Sequence, residues 1–207
     1  MTKKIISIVD YGVGNIGALI NIFDHIEIDV EVVKTPEEIQ AAHKLVLPGV
    51  GAFDVAMNSL RSTGLINSLN TAVLTKGVPV LGICLGMQLM ARSSEEGTSK
   101  GLGWIDADVK KISKPVGSNL KIPNMGWLGV QTRQETNLFG SDYIDRRFYF
   151  NHSYHVVCDS PQNVLATVEY GSTICCAVIS GNIYGVQFHP EKSHRHGMNV
   201  LSSFANI

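Results

Sequence analysis

The sequence predicts an α/β fold in a single domain, with a central, mostly parallel sheet flanked by helices and an attached antiparallel β section. In the first half, short apolar β-rich runs alternate with helical patterns, which is typical of a parallel sheet covered on both faces. After about Gly101, short β-type runs follow one another with little helix between them. The 207 residues suit one core, and no repeat or linker divides them, so we expect residues 1–207 to form one domain.

The individual elements follow from periodicity and from end signals. Strands are predicted at 5–9, 30–33, 45–47 and 78–82, and helices at 16–26, from Pro36 onward, and at 53–76 with an interruption at Gly64. The later β-type runs are 107–112, 129–132, 147–150, 154–158, 164–169, 175–179 and 183–187. A last helix is predicted at 197–205.

Composition excludes several function classes. The net charge of −1 offers no general electrostatic surface for nucleic acid or an acidic membrane. No apolar run approaches the roughly 18 residues that a membrane span needs, and residues 1–4 lead into a strand pattern without a signal-peptide core. The four cysteines form no C-x-x-C pair. We therefore expect a cytoplasmic protein.

The segment around Cys84 is the most informative part of the chain. Gly82 and Gly86 stand two residues before and after this thiol, between a buried-strand run and a helix-compatible stretch. Glycines in these places are expected where a nucleophile sits on a tight, strained strand-to-helix turn. The following helix would direct its amide groups at the sulfur, favouring a thiolate and offering donors to an oxyanion. The alternative is a buried cysteine between two packing glycines.

Two further segments fit the same chemistry. His189, among seven histidines, ends a strand pattern at Pro190 and is followed by Glu191, so the sequence suggests a Cys-His-Glu triad at the carboxyl edge of the sheet. The turn after Pro48 contains Gly49 and Gly51, which would let main-chain amides approach an oxyanion. Taken alone, the segment with His189 and Glu191 also fits the end of a strand with a solvated carboxylate. The turn after Pro48 also fits an ordinary βα loop.

In this order, P-G-V-G-A-F, G-I-C-L-G-M-Q and Q-F-H-P-E-K-S resemble the class I, triad-type glutamine amidotransferases over essentially the whole chain. Segments 10–16, 94–97, 123–127 and 149–154 are similar to the branch that forms the glutaminase subunit of imidazole glycerol phosphate synthase. Asn124, Leu128 and Asn151 depart from that branch's pattern. These departures leave room for a paralogue that supplies ammonia to an amidotransferase acting on a nucleotide-linked or lipid-linked sugar.

The resemblance implies a flavodoxin-like fold and a role for each matched residue. Cys84 would attack the carboxamide of L-glutamine, His189 would protonate the departing ammonia, and Glu191 would orient His189. Main-chain amides near Gly51 and of Leu85 would hold the oxyanion. The peptide bond between Val50 and Gly51 would flip into place for this, which glycine makes easy. The glutamine pocket would comprise Gly49, Gln88, Glu96, Ser153 and Tyr154. Glu96 is the expected partner of the substrate ammonium.

The resemblance also implies a heterodimer and no cofactor or metal. The partner would be a (β/α)₈-barrel cyclase subunit of the HisF type, which receives ammonia before it meets bulk water. Aromatic and long cationic side chains commonly anchor interfaces. The candidate docking residues are Asn15, Trp127, Tyr149 and Lys192.

Three other readings compete with an amidotransferase. Residues 12–17 form a literal G-x-G-x-x-G after a strand, with Glu31 downstream, as in a nucleotide-binding Rossmann module. A related α/β cysteine hydrolase would use the same thiol turn without needing Glu96. His152 and His155 have a short spacing that a metal site could use, although suitable further ligands are missing.

Overall fold

A computed structural model describes residues 5–140 and 146–207, so residues 1–4, where no signal peptide was expected, lie outside the described ranges. Its strands are β1 Ile6–Val9, β2 Val30–Val33, β3 Leu45–Gly49, β4 Val80–Cys84, β5 Ser93–Ser94, β6 Ala107–Lys111, β7 Asn124–Thr132, β8 Arg147–His152, β9 Tyr154–Cys158, β10 Val164–Glu169, β11 Thr173–Ser180 and β12 Ile183–Val186. Its helices are α1 Ile16–His25, α2 Pro36–Ala41, α3 Phe53–Ser62, α4 Leu65–Asn70, α5 Leu85–Leu89 and α6 His194–Asn206. A π-helical turn, Thr71–Thr75, continues α4.

Nine strands form one sheet in the order β2-β1-β3-β4-β12-β11-β10-β7-β8. The first five are parallel and the remaining pairings are antiparallel. This confirms the predicted α/β architecture. The predicted antiparallel section is divided between two sheets, because β6 and β9 pair with each other and form a separate three-stranded sheet with β5. Strand β12 turns back from β11 at Gly181, where φ is +58°, and pairs with β4.

Most predicted element boundaries agree with the structure, and the differences have physical causes. The helix break at Gly64 is confirmed, since this residue has φ +70° between α3 and α4. Strand β7 begins at Asn124, five residues before the predicted run at 129, because its exposed positions and glycines hide the apolar alternation. Helix α6 begins at His194, not at 197, since its first turn is polar.

The sheet has an apolar layer on each face. Leu19 and Phe23 of α1 pack with Leu201 and Phe204 of α6 on one side. The helices α3 and α4 supply the other side, where Phe53 is fully buried. Every residue of β3 and β4 is buried, as expected for central parallel strands. Within the described ranges, no helix is long and apolar enough to cross a membrane.

Candidate active site

Three neighbouring strands bring together the three segments that the sequence singled out. Strand β3 leads to the turn at Gly49, β4 to Cys84 and β12 to His189. Gly49, the last residue of β3, lies opposite Cys84, the last residue of β4. On the other side of β4, Val186 lies opposite Ile83, and the chain continues from there to His189. Residues distant in sequence therefore meet at the carboxyl edge of the sheet, the edge at which open α/β sheets bind ligands.

Cys84 occupies a strained turn between β4 and α5. Its φ of 54° and ψ of −109° lie in a region that non-glycine residues rarely adopt. A methyl group at position 82 would come within 2.8 Å of the carbonyl carbon of Gly86, and one at position 86 would overlap the carbonyl oxygen of Leu47. The flanking glycines are thus required by close backbone packing, as the sequence predicted.

His189 connects Cys84 to Glu191. Its Nδ1 lies 2.8 Å from Glu191 Oε1, and both side chains are only 4% exposed. Burial lowers the pKa of His189, but hydrogen bonds to Cys84 and Glu191 and their negative charges outweigh this effect and raise the pKa to about 9. The arrangement therefore holds an imidazolium between a sulfur and a carboxylate near neutral pH.

Ser193 fixes the turn that carries His189 and Glu191. Its hydroxyl donates to the carbonyl of His189 at 2.6 Å and accepts from the amide of Tyr149 at 3.0 Å. The His189 amide also donates to the Tyr149 carbonyl at 2.9 Å. The turn that carries His189 and Glu191 is thereby attached to β8. This function of Ser193 was not predicted, although the residue ends the Q-F-H-P-E-K-S segment.

A cavity of about 440 Å³ opens beside the sulfur. Ten of the predicted site residues line it: Val50, Gly51, Cys84, Leu85, Gln88, Glu96, Ser153, Tyr154, His189 and Lys192. Pro123, Asn151 and His152 complete the lining without having been predicted. Two further predicted residues do not line the cavity. Glu191 contacts the Nδ1 atom of His189. Gly49 packs against α5, where a methyl group on it would come within 2.7 Å of the Gly86 amide nitrogen. The cavity is large enough for a free amino acid.

The turn after β3 forms one rim of this cavity. Val50 is 44% exposed, and Gly51 has φ +99°, a conformation that favours glycine. Tyr11 holds the base of the turn, because its hydroxyl donates to the Pro48 carbonyl at 2.6 Å. Burial raises the pKa of Tyr11 above its ordinary value, so it stays a protonated donor. Tyr11 was part of the segment 10–16 but was not singled out.

A buried amide network lies beneath the cavity. Gln88 Nε2 donates to the Tyr154 carbonyl at 3.0 Å and to Gln187 Oε1 at 2.9 Å. Gln187 is completely buried, and its Nε2 lies 3.7 Å from the Cys84 sulfur. Sequence reasoning missed Gln187. The available signal was its spacing, since in extended chain it shares a face with His189 two residues later.

His152 is held in one neutral form. Its Nδ1 lies 2.8 Å from the Tyr154 carbonyl and its Nε2 lies 2.9 Å from Asn124 Nδ2. Burial lowers the pKa of His152 to about 4. Asn124, which departs from the branch pattern, therefore supplies the amide donor to this ring. Both ring nitrogens are engaged, and the described residues contain no group of three potential metal ligands.

Three of the four candidate docking residues form one cluster. Trp127 is 43% exposed, and its ring lies 6.3 Å from that of Tyr149 in an edge-on arrangement. Lys192 Nζ lies 5.9 Å from the centre of the Tyr149 ring. Asn15 caps α1, where its side chain accepts from the Ala18 amide at 3.3 Å. The interface role of all four remains a proposal.

Glu31, which a nucleotide-binding Rossmann module would need to bind the ribose, is hydrogen-bonded within the sheet. Glu31 lies opposite Ser7 in the pairing of β2 with β1 and accepts a 2.7 Å hydrogen bond from its hydroxyl. A ribose-binding carboxylate belongs at the carboxyl end of that strand. In addition, a methyl group at Gly14 would come within 3.0 Å of Pro48, so this glycine packs against the turn after β3. The glycine-rich segment thus supports the cavity.

Comparison with known proteins agrees with this geometry. The family model for class I glutamine amidotransferases matches residues 7–206. Two solved structures from Thermotoga maritima share the fold. PurLQS matches at a TM-score of 0.73, with 17% identity over 99% of this chain and 99% of its own. A glutamine amidotransferase matches at a TM-score of 0.65, with 19% identity over 100% of this chain and 84% of its own. The chain is a class I glutamine amidotransferase.

Similarity to curated proteins identifies the family within the class I glutamine amidotransferases to which this chain belongs. Imidazole glycerol phosphate synthase subunit HisH 2 of Methanococcus maripaludis is 47% identical over 96% of this chain and 98% of its own length. Subunit HisH of Bdellovibrio bacteriovorus is 46% identical over 98% of this chain and 100% of its own, and HisH 2 of Pseudomonas aeruginosa is 41% identical over 98% and 99%. The chain belongs to the HisH family.

Proposed function

We propose that this chain hydrolyses L-glutamine to glutamate and ammonia through Cys84, His189 and Glu191. The observation that carries the proposal is the convergence of these groups beside the 440 Å³ cavity. The Cys84 thiolate attacks the carboxamide carbon, and the resulting oxyanion accepts from main-chain amides of Gly51 and Leu85. The imidazolium of His189 then gives its proton to the leaving nitrogen, which departs as ammonia and leaves a glutamyl thioester.

The same groups complete the cycle in reverse roles. Neutral His189 takes a proton from water, and the hydroxide attacks the thioester carbon. Collapse of the second tetrahedral intermediate releases glutamate and regenerates the thiolate, paired with the imidazolium. Glu191, buried against Nδ1, keeps the other ring nitrogen directed at the reacting atoms throughout. Glu96, on the cavity wall, would bind the substrate's ammonium.

We further propose that the ammonia passes to a HisF-type (β/α)₈ subunit, which forms imidazole glycerol phosphate and the aminoimidazole carboxamide ribonucleotide of histidine biosynthesis. The relatives named as subunits of imidazole glycerol phosphate synthase support this assignment. The cluster of Trp127, Tyr149 and Lys192 supports a docked partner, because Trp127 and Lys192 are exposed and Lys192 lines the cavity beside the sulfur.

Adding the barrel subunit is expected to raise the glutaminase rate of this chain at least about 10-fold, because docking would arrange the oxyanion donors. Trp127→Ala should weaken the complex about 10-fold or more, as loss of an interface anchor does. Val55→Ala, which trims an exposed apolar residue of α3 instead, serves as the matched control. Sedimentation and a coupled glutamate assay measure both effects. Full glutaminase activity without any partner would contradict this activation by docking.

The acceptor enzyme can be tested in the same assay. Asn151 lines the glutamine cavity and departs from the branch pattern, which keeps the sugar-amidating paralogue as a second candidate. Stimulation by the (β/α)₈ barrel and not by a sugar amidotransferase supports histidine biosynthesis. The opposite result assigns the chain to the paralogue, with the same glutaminase chemistry.

The elevated pKa of His189 predicts a pH dependence. The ring carries its proton below about pH 9 and loses it above, so glutaminase activity should fall as the pH rises through 9 and the acid for ammonia departure disappears. Cys84→Ala removes a hydrogen bond and a charge that raise this pKa, so His189 should titrate lower in the variant. Imidazole NMR signals measure both titrations. If His189 titrates identically in the wild type and in Cys84→Ala, the Cys84 sulfur does not raise the pKa of His189 and this prediction is wrong.

A further inference from the structure

The turn that begins α3 and the segment 94–99, here called the Glu96 loop, hold each other in place. Glu96 Oε2 accepts a 2.9 Å hydrogen bond from the Phe53 amide. Phe53 follows directly on the turn that carries Gly51. The side chain expected to recognise the substrate's ammonium is therefore bonded to the first residue of α3, next to the expected oxyanion donors.

Asp54, the next residue, forms the other half of this arrangement. Its carboxylate accepts from the Thr98 amide at 3.1 and 3.0 Å and from the Ser99 amide at 2.9 Å. These backbone hydrogen bonds lower the pKa of Asp54, so the group is ionised at neutral pH. One carboxylate thus ties two consecutive amides of the Glu96 loop to the start of α3.

The loop lies so close to this carboxylate that a side chain at position 97 would displace it. A methyl group there would overlap the carboxyl atoms of Asp54. Within the loop, the hydroxyl of its first residue, Ser94, accepts from the Glu96 amide at 3.1 Å. Glu96 is exposed, so its orientation depends on these contacts of its own loop. With Oε2 occupied by Phe53, Oε1 remains for a second donor.

We propose that Asp54 is a positioning residue that sets the affinity and specificity for glutamine by holding Glu96 at the cavity wall. The inference rests on the proposed glutaminase function and adds a residue that does not itself line the cavity. Asp54 acts through the Glu96 loop, so its loss should weaken recognition of the ammonium group and leave recognition of the carboxamide intact.

Calorimetric binding to the full chain tests this inference, with Cys84→Ala as the parent so that ligand is not consumed. Asp54→Asn is expected to weaken glutamine binding about 10-fold, the scale of one charge-assisted hydrogen bond. Binding of 4-carbamoylbutanoate, which lacks the α-ammonium, should change less than about 2-fold because Glu96 has nothing to bind in it.

Glu38→Gln is the matched control. Glu38 also accepts backbone amide hydrogen bonds at a helix start, from Lys34 and Thr35, but belongs to α2. This variant should bind glutamine as the parent does. Gly97→Ala, whose methyl group would push the Asp54 carboxylate away from the loop amides, should reproduce the selective loss and replaces Asp54→Asn if that variant fails to fold.

The outcomes separate the two proposals. A parent that binds no glutamine refutes the glutaminase assignment itself. A parent that binds glutamine while both Asp54→Asn and Gly97→Ala bind it equally well refutes only the positioning role. Equal losses for glutamine and 4-carbamoylbutanoate also refute it, since they indicate a merely structural effect.

Discussion

Cys84→Ala is expected to abolish glutamine-dependent synthesis by the complex, while synthesis from added ammonium salts continues. Without the sulfur no thioester forms, and the remaining oxyanion donors provide only residual catalysis, so glutamine hydrolysis should fall by about 10³-fold or more. Cys84→Ser should behave similarly, because a hydroxyl beside this imidazolium is a much weaker nucleophile. Product formation with glutamine and with ammonium, measured on the same preparation, provides the comparison.

The ammonium-dependent rate is the internal control for that experiment. It reports the activity of the synthase partner and the integrity of the complex, neither of which needs the sulfur. Loss of both rates would instead indicate that Cys84 holds the fold or the interface together. Retention of glutamine hydrolysis in Cys84→Ala would remove the basis for the proposed mechanism.

Gly86→Ala is expected to destabilise the protein by about 3 kcal/mol or more, because the new methyl group would overlap the carbonyl oxygen of Leu47 in the adjacent strand. Backbone cannot rotate away as a side chain can, so β3 and the Cys84 turn must separate. Urea unfolding followed by circular dichroism gives the change in unfolding free energy. Glutaminase activity should be lost even where the variant folds.

Gly17→Ala is the matched control for this substitution. Gly17 lies in the first turn of α1, and a methyl group there meets nothing within 4 Å. Alanine has the higher helix propensity, so this variant should be as stable as the wild type or more stable by up to about 1 kcal/mol. A Gly86→Ala protein with wild-type stability and activity would show that the turn has more room than the structure gives it.

Much of the fold followed from local sequence signals. Buried apolar strands separated by helical periods predicted the parallel part, and Gly64 correctly predicted the break between α3 and α4. The small sheet of β5, β6 and β9 was not predicted, because strand partners depend on contacts between distant segments. Strand β7 was predicted too short for a different reason, because four of its nine residues are exposed and interrupt the apolar pattern.

The candidate site likewise contains residues that the sequence predicted and residues that it missed. Residues with distinctive chemistry in distinctive order, such as Cys84 and His189, were predicted and lie together. The residues of the site that were missed make ordinary hydrogen bonds: Tyr11, Asp54, Gln187 and Ser193. An amide or hydroxyl gains such a function only from its neighbours in space, which a single sequence does not reveal.

The pairing of β12 with β4 has a consequence for biosynthesis. Cys84 precedes His189, the imidazole proposed to activate it, by more than 100 residues. A nascent chain that stops before β12 therefore carries the thiol without the imidazole and, under the proposed mechanism, would release no ammonia. Glutamine hydrolysis would begin only after β12 has paired with β4.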